Sequence, residues 1–370
     1  MGKRSRVCVL SSGHRATDTR VFHRQAKSLA GAGYDVTLVA QHDGDETVGG
    51  VRIVALPKAA NRFRRLLGTV RILKLALRER ADVYHFHDPE LLPAGLGLKL
   101  LTGARVIYDV HEDYPELVLA ERWLPGPFRA AAAHVFGFVE KRLARRLDFL
   151  IAATDHIACR FGSGRIATVR NYPVLEQMRA GKARNSVEQR LVYAGRLAEE
   201  RGIGEMVGAL HYVGAHGDVR LTLCGRFSSP SYERRVRRLE GFRHVDYLGW
   251  LPPETVWLSL IESSVGLVCL HPLPRYVVSL PIKLFEYMAA GIPVVASDFP
   301  GWREIVEGNH CGLTVNPLDP RSIAEKVDYL LEHPAEARRM GENGRRAVER
   351  QYNWESESAG LLAVYEELAG

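Results

Sequence analysis

The sequence predicts an α/β chain built as two domains, each a parallel sheet flanked by helices. Three observations carry this. Arg6–Ala40 runs strand, loop, helix, strand, the repeating unit of parallel sheets. The 370 residues exceed what one ordinary core holds. After a polar stretch without sustained period, Asn171–Asn185, the same alternation starts again at Leu191. The expected division is 1–172 for the first domain, 173–187 for a linker, 188–352 for the second domain and 353–370 for a closing helix.

In the first domain Arg6–Leu10 (RVCVL) reads as a buried strand, SSGHRATDTR as a loop and VFHRQAKSLAGAG as a helix ending in glycine. Tyr34–Ala40 and Val51–Leu56 are further strands. Asn61–Arg80 is a basic amphipathic helix: Phe63, Leu66, Leu67, Val70, Leu73 and Leu77 share one face, and Arg62, Arg65, Lys74 and Arg78 the other. It either covers the sheet as a solvated helix or rests on anionic lipid. Asp82–His87 (DVYHFH) is a strand ending in polar residues, and a helix follows it. Arg105–Asp109 is a strand whose C-terminal end opens into the loop VHEDYPE, the end at which open α/β sheets bind ligands. Phe128–Leu147 is a long helix with a basic tail, and Phe149–Thr154 and Ala167–Arg170 complete the sheet.

In the second domain Leu191–Tyr193, Val219–Cys224, Val245–Leu248, Val265–Leu270 and Gly312–Val315 read as strands. Ile203–Tyr212, Glu254–Ser263, Pro320–Leu331 and Pro334–Gln351 read as helices, and Asn353–Leu368 as the closing one. The stretch Leu280–Ser297 (LPIKLFEYMAAGIPVVAS) organises this half. Its first part is an amphipathic helix led by Pro281, stopped by Gly291 and kept from resuming by Pro293. PVVA is then a buried strand. A helix start presents backbone N–H groups and partial positive charge to a phosphate, and Glu286 nearby suits sugar hydroxyls. The stretch reads as a clamp for a sugar nucleotide.

Composition, at 46% hydrophobic and 25% charged, is that of a globular protein. The five cysteines are widely spaced and show neither metal-ligand spacing nor a disulfide framework, which fits a reducing cytosol. The N-terminal MGKRSRVCVLSSG reads as a strand behind a basic tip rather than a signal peptide. No apolar run approaches the roughly 20 residues that span a bilayer. Expected localisation is therefore cytoplasmic, with peripheral contact to the inner membrane face as a variant. Residues 1–172 hold 27 Lys+Arg against 17 Asp+Glu, so the basic excess lies in the first half, where an anionic surface or acceptor would meet it. No nucleic-acid module is recognisable, and nucleic acid is not expected as a partner.

Seven pieces, in order, resemble family 4 of the glycosyltransferases. They are SSGHRATDTRVFHRQAKSLAGAGYDV, DVYHFHDPELLP, VIYDVHEDYPE, AGRLAEERG, LGWLPPE, LPIKLFEYMAAGIPVVAS and the tail from GLTVNPLDP to YNW. The resemblance covers about Arg6 to about Leu368. It implies the GT-B fold: two facing Rossmann-like domains with parallel sheets, and a C-terminal helix crossing back to the first. It implies transfer of a hexosyl or N-acetylhexosaminyl group from a nucleotide diphosphate sugar, UDP or GDP, with retained configuration, without metal or other cofactor. The acceptor class it implies is a hydroxyl of a glycan, glycolipid or small molecule, as in cell-surface polysaccharide biosynthesis. Two alternatives stand beside it: a sugar-nucleotide epimerase of similar fold, and a non-catalytic sugar-nucleotide-binding protein.

The resemblance also assigns residues. Arg196 and Arg201 in GRLAEERG match the pair that grips the diphosphate, with Arg201 where the family usually has Lys. Glu286 matches the second Glu of the family's Glu-x7-Glu motif, which holds the ribose; the first falls on Val278, a departure. Backbone at Leu280, Ile282 and Lys283, with the Lys283 charge, faces the phosphate. His111 matches the histidine beside the reacting sugar, and with Arg196, Arg201 and Glu286 makes the expected catalytic set. Gly195, Gly225, Arg226, Trp250 and Leu251 match the loops around the nucleotide, and Gly13 lets backbone approach a ligand. His14, Asp18, Arg20, Glu112 and Asp113 are acceptor-side expectations. Asp18 and Arg20 have internal pairing as their other reading, and Glu112 and Asp113 have helix capping.

Overall fold

The computed structural model describes residues 4–58, 62–120, 125–162, 164–178, 189–214 and 219–369, without the side chains of 62–67, 120, 177 and 369. The chain divides into two compact units, residues 1–171 with 354–370, and residues 172–353.

The first unit holds an eight-stranded sheet. Its strands are β1 (Arg6–Arg15), β2 (Asp35–Gln41), β3 (Glu46–Val48), β4 (Val51–Leu56), β5 (Val83–Phe86), β6 (Arg105–Val110), β7 (Phe149–Ala152) and β8 (Ile166–Thr168). Their order is β3-β4-β2-β1-β5-β6-β7-β8, parallel except for the short hairpin strand β3. Its helices are α1 (Lys27–Gly31), α2 (Arg62–Glu79), α3 (Leu92–Thr102), α4 (Tyr114–Ala120), α5 (Gly126–Ala144) and α6 (Asp155–Phe161). The continuous apolar runs read as strands are buried on both faces: Cys8, Leu10, Tyr84, Phe86, Val106 and Tyr108 belong to one core cluster. The C-terminal helix Trp354–Ala369 belongs to this unit, where Trp354 Nε1 donates to Ser28 Oγ at 2.8 Å.

Three local differences from the sequence reading have physical causes. The helix after β1 opens as a π-helix, Thr19–Ala26, capped by the Asp18 carboxylate. Its wider turn brings Arg20 and Gln25 to one partner, Asp109, a spacing that an α-helix would set on different faces. VHEDYPE is not only loop, because α4 begins within it at Tyr114. In α2 the buried residues are Ile72 and Ala76, and Val70, placed on the apolar face by periodicity, is 57% exposed. The expectations for the side chains of Arg62, Phe63, Arg65, Leu66 and Leu67 lie outside the described residues.

The second unit is a six-stranded, wholly parallel sheet of β9 (Arg190–Ala194), β10 (Arg220–Cys224), β11 (Val245–Gly249), β12 (Val265–Val268), β13 (Val294–Ser297) and β14 (Gly312–Val315). Its helices are α7 (Ile203–Ala209), α8 (Pro230–Arg237), α9 (Pro253–Ile261), α10 (Pro274–Val277), α11 (Ile282–Ala290), α12 (Pro300–Val306), α13 (Pro320–Glu332) and α14 (Pro334–Arg350). The order β11-β10-β9-β12-β13-β14 is the Rossmann order, with its topological switch between β9 and β12. Of the expected linker, residues 179–187 are outside the described residues, and Leu175 and Met178 pack against the core of this unit. Tyr172 is already part of that core, edge-on to Phe285 at 4.7 Å.

Candidate functional site

Each sheet gathers its polar side chains at the carboxyl ends of its strands, next to the switch in strand order. In the second unit the loops after β9, β10 and β11 are tied together by backbone. Gly225 N–H donates to Gly249 O at 2.6 Å, Gly195 N–H to Cys224 O at 2.8 Å, and Leu197 N–H to Arg226 O at 3.0 Å. Two glycines make this possible. A Cβ on Gly225, at φ +152°, would fall 1.8 Å from Gly195 O. A Cβ on Gly202, at φ +71°, would fall 1.8 Å from Cys269 O. The second contact presses the loop after β9 onto the end of β12, at the switch point.

Lys283, in the first turn of α11, reaches this place. Its ammonium lies 4.8 Å from the centre of the Tyr193 ring, and a Cβ on Gly195 would be 3.1 Å from its Nζ. Burial, then the Arg201 charge, push the Lys283 pKa down to about 7, against the pull of Glu286. Arg201 stacks on Tyr276, 4.8 Å from the ring centre. The N-terminus of α11 has Pro281 at its cap and no side-chain cap bond, so a ligand anion meets backbone amides there. The structure thus brings Gly195, Arg201, Lys283 and Glu286 together, with Leu280 and Ile282 half-buried at the helix start. Arg196 is exposed, and its carbonyl accepts from the Tyr193 hydroxyl at 3.1 Å. Arg226 lies over the exposed Trp250 ring at 5.8 Å, beside the half-buried Leu251. Val278 is 39% exposed at the C-cap of α10.

In the first unit the corresponding place carries carboxylates and imidazoles. Asp88, buried after β5, accepts from Ser11 Oγ (2.8 Å), Ser12 N–H (2.7 Å) and Gly13 N–H (3.1 Å). The Gly13 amide, expected to face a ligand, is therefore used to shape the loop. Arg20 shows the internal pairing that was one of its two readings. It is 4% exposed, donates Nε and Nη2 to Asp109 at 3.0 and 2.9 Å, and donates Nη1 to Val169 O and Asn171. A buried guanidinium needs such a partner, and the carboxylate that answers it stands far along the chain. Asp18 caps the π-helix through Arg20 and Val21 N–H and faces His14 Nδ1 at 3.4 Å. Asp113 precedes α4 and pairs with Arg160 at 3.2 Å and His156 at 3.4 Å, which places it in a structural role. Glu112 is exposed.

His111 follows β6 and meets His14, with Nε2 to Nε2 at 3.0 Å. One ring must donate and the other accept. Burial works against a charged His14, but Asp18, Asp88 and Glu112 outweigh it and raise its pKa. His111 Nδ1 lies 3.8 Å from Asp109 Oδ1. Burial disfavours the charged form of Asp109, yet Arg20 and the imidazoles of His111, His85 and His87 hold its pKa well below the usual carboxylate range.

Sequence reasoning missed His85, His87, Asp88 and Asp109. All four are buried, and in DVYHFH the two histidines read as the polar end of a strand. His85 and His87 stack at 4.8 Å, and His85 Nδ1 is 2.8 Å from the Tyr365 hydroxyl. With Asp109 they form the one group among the described residues with metal-ligating geometry. The group does not suit a cation, because Asp109 Oδ2 already accepts from Arg20 and from Gln25 Nε2, and the Arg20 charge lies against it.

Comparison with known proteins agrees with this architecture. A model of the glycosyl transferase 4-like domain matches residues 19–170, and a model of glycosyl transferases group 1 matches residues 175–347. A glycogen synthase of Mycobacterium tuberculosis is 25% identical over 94% of this chain and 90% of its own. The MMP alpha-(1->4)-mannosyltransferase of Mycolicibacterium hassiacum is 26% identical over 80% of this chain and 74% of its own. Among solved structures, the sucrose-phosphate synthase of Thermosynechococcus elongatus superposes with TM-score 0.78 at 21% identity, covering 99% of both chains. Anabaena HepE in complex with UDP and glucose superposes with TM-score 0.75 at 14% identity, over 98% of this chain and all of that one. With the two Rossmann-like sheets, these likenesses give the GT-B fold. The chain belongs to the group 1 glycosyltransferases of family 4, and is a glycosyltransferase.

Proposed function

We propose that the chain transfers a hexosyl or N-acetylhexosaminyl group from a nucleotide diphosphate sugar, UDP or GDP, to a hydroxyl of a glycan, glycolipid or small molecule, with retention and without a metal. The observation that carries this reading is the cluster at the carboxyl ends of the second unit's strands. There Arg201, the Lys283 ammonium and the uncapped start of α11 converge beside the glycine-shaped loops after β9 and β10. Cations and oriented amides neutralise the charge that develops on a leaving diphosphate. Glu286, beside Lys283, suits the ribose hydroxyls. The UDP bound in the HepE structure supports the donor class. His111 is the group that would meet the reacting sugar, as a hydrogen-bonding imidazole. Its Nε2 is held by His14 and would have to exchange that bond for one to substrate. We further propose that the basic first unit works at an anionic membrane face, where glycolipid and polysaccharide acceptors are found.

A thermal-shift screen across UDP- and GDP-sugars tests the donor assignment, since a ligand bound only by the folded state stabilises it. Stabilisation by one nucleotide series, lost in Lys283→Met, is the expected result. No response to any nucleotide sugar would overturn it. Product analysis without acceptor separates transfer from epimerisation: an isomerised nucleotide sugar would favour the epimerase.

A further inference from the structure

Helix α5 is built inside out. An ordinary surface helix buries its large apolar residues and exposes its charges. In α5 the buried residues are Ala133, Glu140 and Ala144, flanked by the half-buried Phe136, Gly137 and Leu143. Gly137 lies against Pro115 of α4 so closely that a Cβ there would be 3.1 Å from the proline ring. Four large apolar side chains point outward: Phe128 is 64% exposed, Val135 63%, Phe138 72% and Val139 46%. Helical spacing puts these four on one stripe, about 16 Å long at 1.5 Å per residue. The same face continues into Arg142, Arg145 and Arg146, all exposed. The helix's single carboxylate, Glu140, is turned inward, accepting from Tyr108 at 2.8 Å and from Arg160 at 2.7 Å. The outer face therefore carries apolar bulk and positive charge, with no negative charge.

We propose that this outer face of α5 is the surface on which the first unit docks on an anionic bilayer. The proposal deepens the membrane-face reading above and rests on it. Phenylalanines and valines enter the headgroup boundary, while the three arginines pair with lipid phosphates. The opposite charge is what selects a bilayer over a second copy of the chain, whose first unit is itself basic. Because α4 follows His111 by two residues and packs on α5, the surface adjoins the loop at the end of β6.

The test is co-sedimentation of the full chain with vesicles of phosphatidylcholine alone and with added phosphatidylglycerol. The wild type should bind the anionic vesicles and not the neutral ones. Arg142→Glu/Arg145→Glu/Arg146→Glu should bind about a hundredfold more weakly, and Phe138→Asp about tenfold. Both variants alter exposed side chains, so UDP-sugar binding should match the wild type in both. Anionic binding that is absent in the wild type, or that survives in both variants, overturns the proposal. So does a wild-type dimer on size exclusion that Phe138→Asp dissociates, since the stripe would then be an interface between copies. Intact nucleotide-sugar binding alongside a failed vesicle assay leaves the transferase reading standing and removes only the surface.

Discussion

Donor binding should depend on pH through Lys283, and the size of the effect follows from its surroundings. Burial and the Arg201 charge bring its pKa down from 10.5 to about 7 in the empty site. A diphosphate laid against the ammonium reverses the electrostatic balance and returns the pKa towards its ordinary value. At pH 6 about nine in ten empty sites already carry the charge, and at pH 8 about one in ten does. Binding must then take up the missing proton, so affinity falls by about tenfold from pH 6 to pH 8. Stability has the opposite sign. The unfolded lysine keeps its proton up to about 10.5 while the folded one gives it up near 7, so the empty second unit gains stability as pH rises between those values. The assay is calorimetric titration with the nucleotide sugar found by thermal shift, at both pH values and in two buffers of different ionisation enthalpy. A sugar diphosphate has no phosphate proton of its own to exchange in this range. Lys283→Met should bind more weakly at pH 6 and lose the pH slope. An equal slope in wild type and Lys283→Met would refute the assignment of the proton to this lysine.

Three further outcomes are expected. Asp109→Asn leaves the buried Arg20 without its countercharge and should cost the first unit about 3–5 kcal/mol in urea unfolding; a loss under about 1 kcal/mol would show that Arg20 finds other partners. Because the Asp109 pKa is held down, this stability is fully present above the ordinary carboxylate range and is lost as pH falls from there through the depressed value. Gly225→Ala must push the loop after β10 away from Gly195 O, at a cost of about 1–3 kcal/mol and with weaker donor binding; wild-type melting and affinity would contradict the close approach. His111→Ala should lower turnover by about a hundredfold or more with donor affinity within about twofold, and an equal loss in both would place the histidine in donor binding instead.

The sheets were legible because buried parallel strands are short, apolar and β-branched, and both sheets take that form at RVCVL, VIYD, LVYA and PVVA. The helix at Ile282–Ala290 was legible too, since Gly291 stops it in the left-handed region at φ +76°. What stayed hidden depends on pairing across long separations. Nothing local marks Arg20 as buried, because its carboxylate stands 89 residues away. His85 and His87 looked like the polar end of a strand, yet both lie in the core, facing Asp109 from 3.7 and 3.9 Å. The π-helix escaped because its wide turn serves the same distant carboxylate. The hairpin strand β3 carried a signal that was passed over, Gly49-Gly50 between two short runs. In the second unit Lys283 stood out as a helix lysine, but its enclosure by Tyr193 and Gly195 is a product of the tertiary fold.

The two units share a strand order around the switch and differ in what they place there, and that difference assigns their partners. At the first switch, between β1 and β5, Asp88 is anchored by Ser11, Ser12 and Gly13, with Asp18 close by on His14. A diphosphate brought there would meet carboxylates at short range, and the guanidinium of Arg20 there is already paired. A hydroxyl suffers no such repulsion, and it finds imidazoles and carboxylates able to accept its proton. At the second switch, between β9 and β12, the positive charges of Arg201 and Lys283 stand beside the Glu286 carboxylate, and backbone amides open from α11. A neutral hydroxyl gains little from them, whereas an anion restores the charge that burial takes from Lys283. On these electrostatic grounds we propose that the nucleotide diphosphate binds at the second unit and the acceptor at the first.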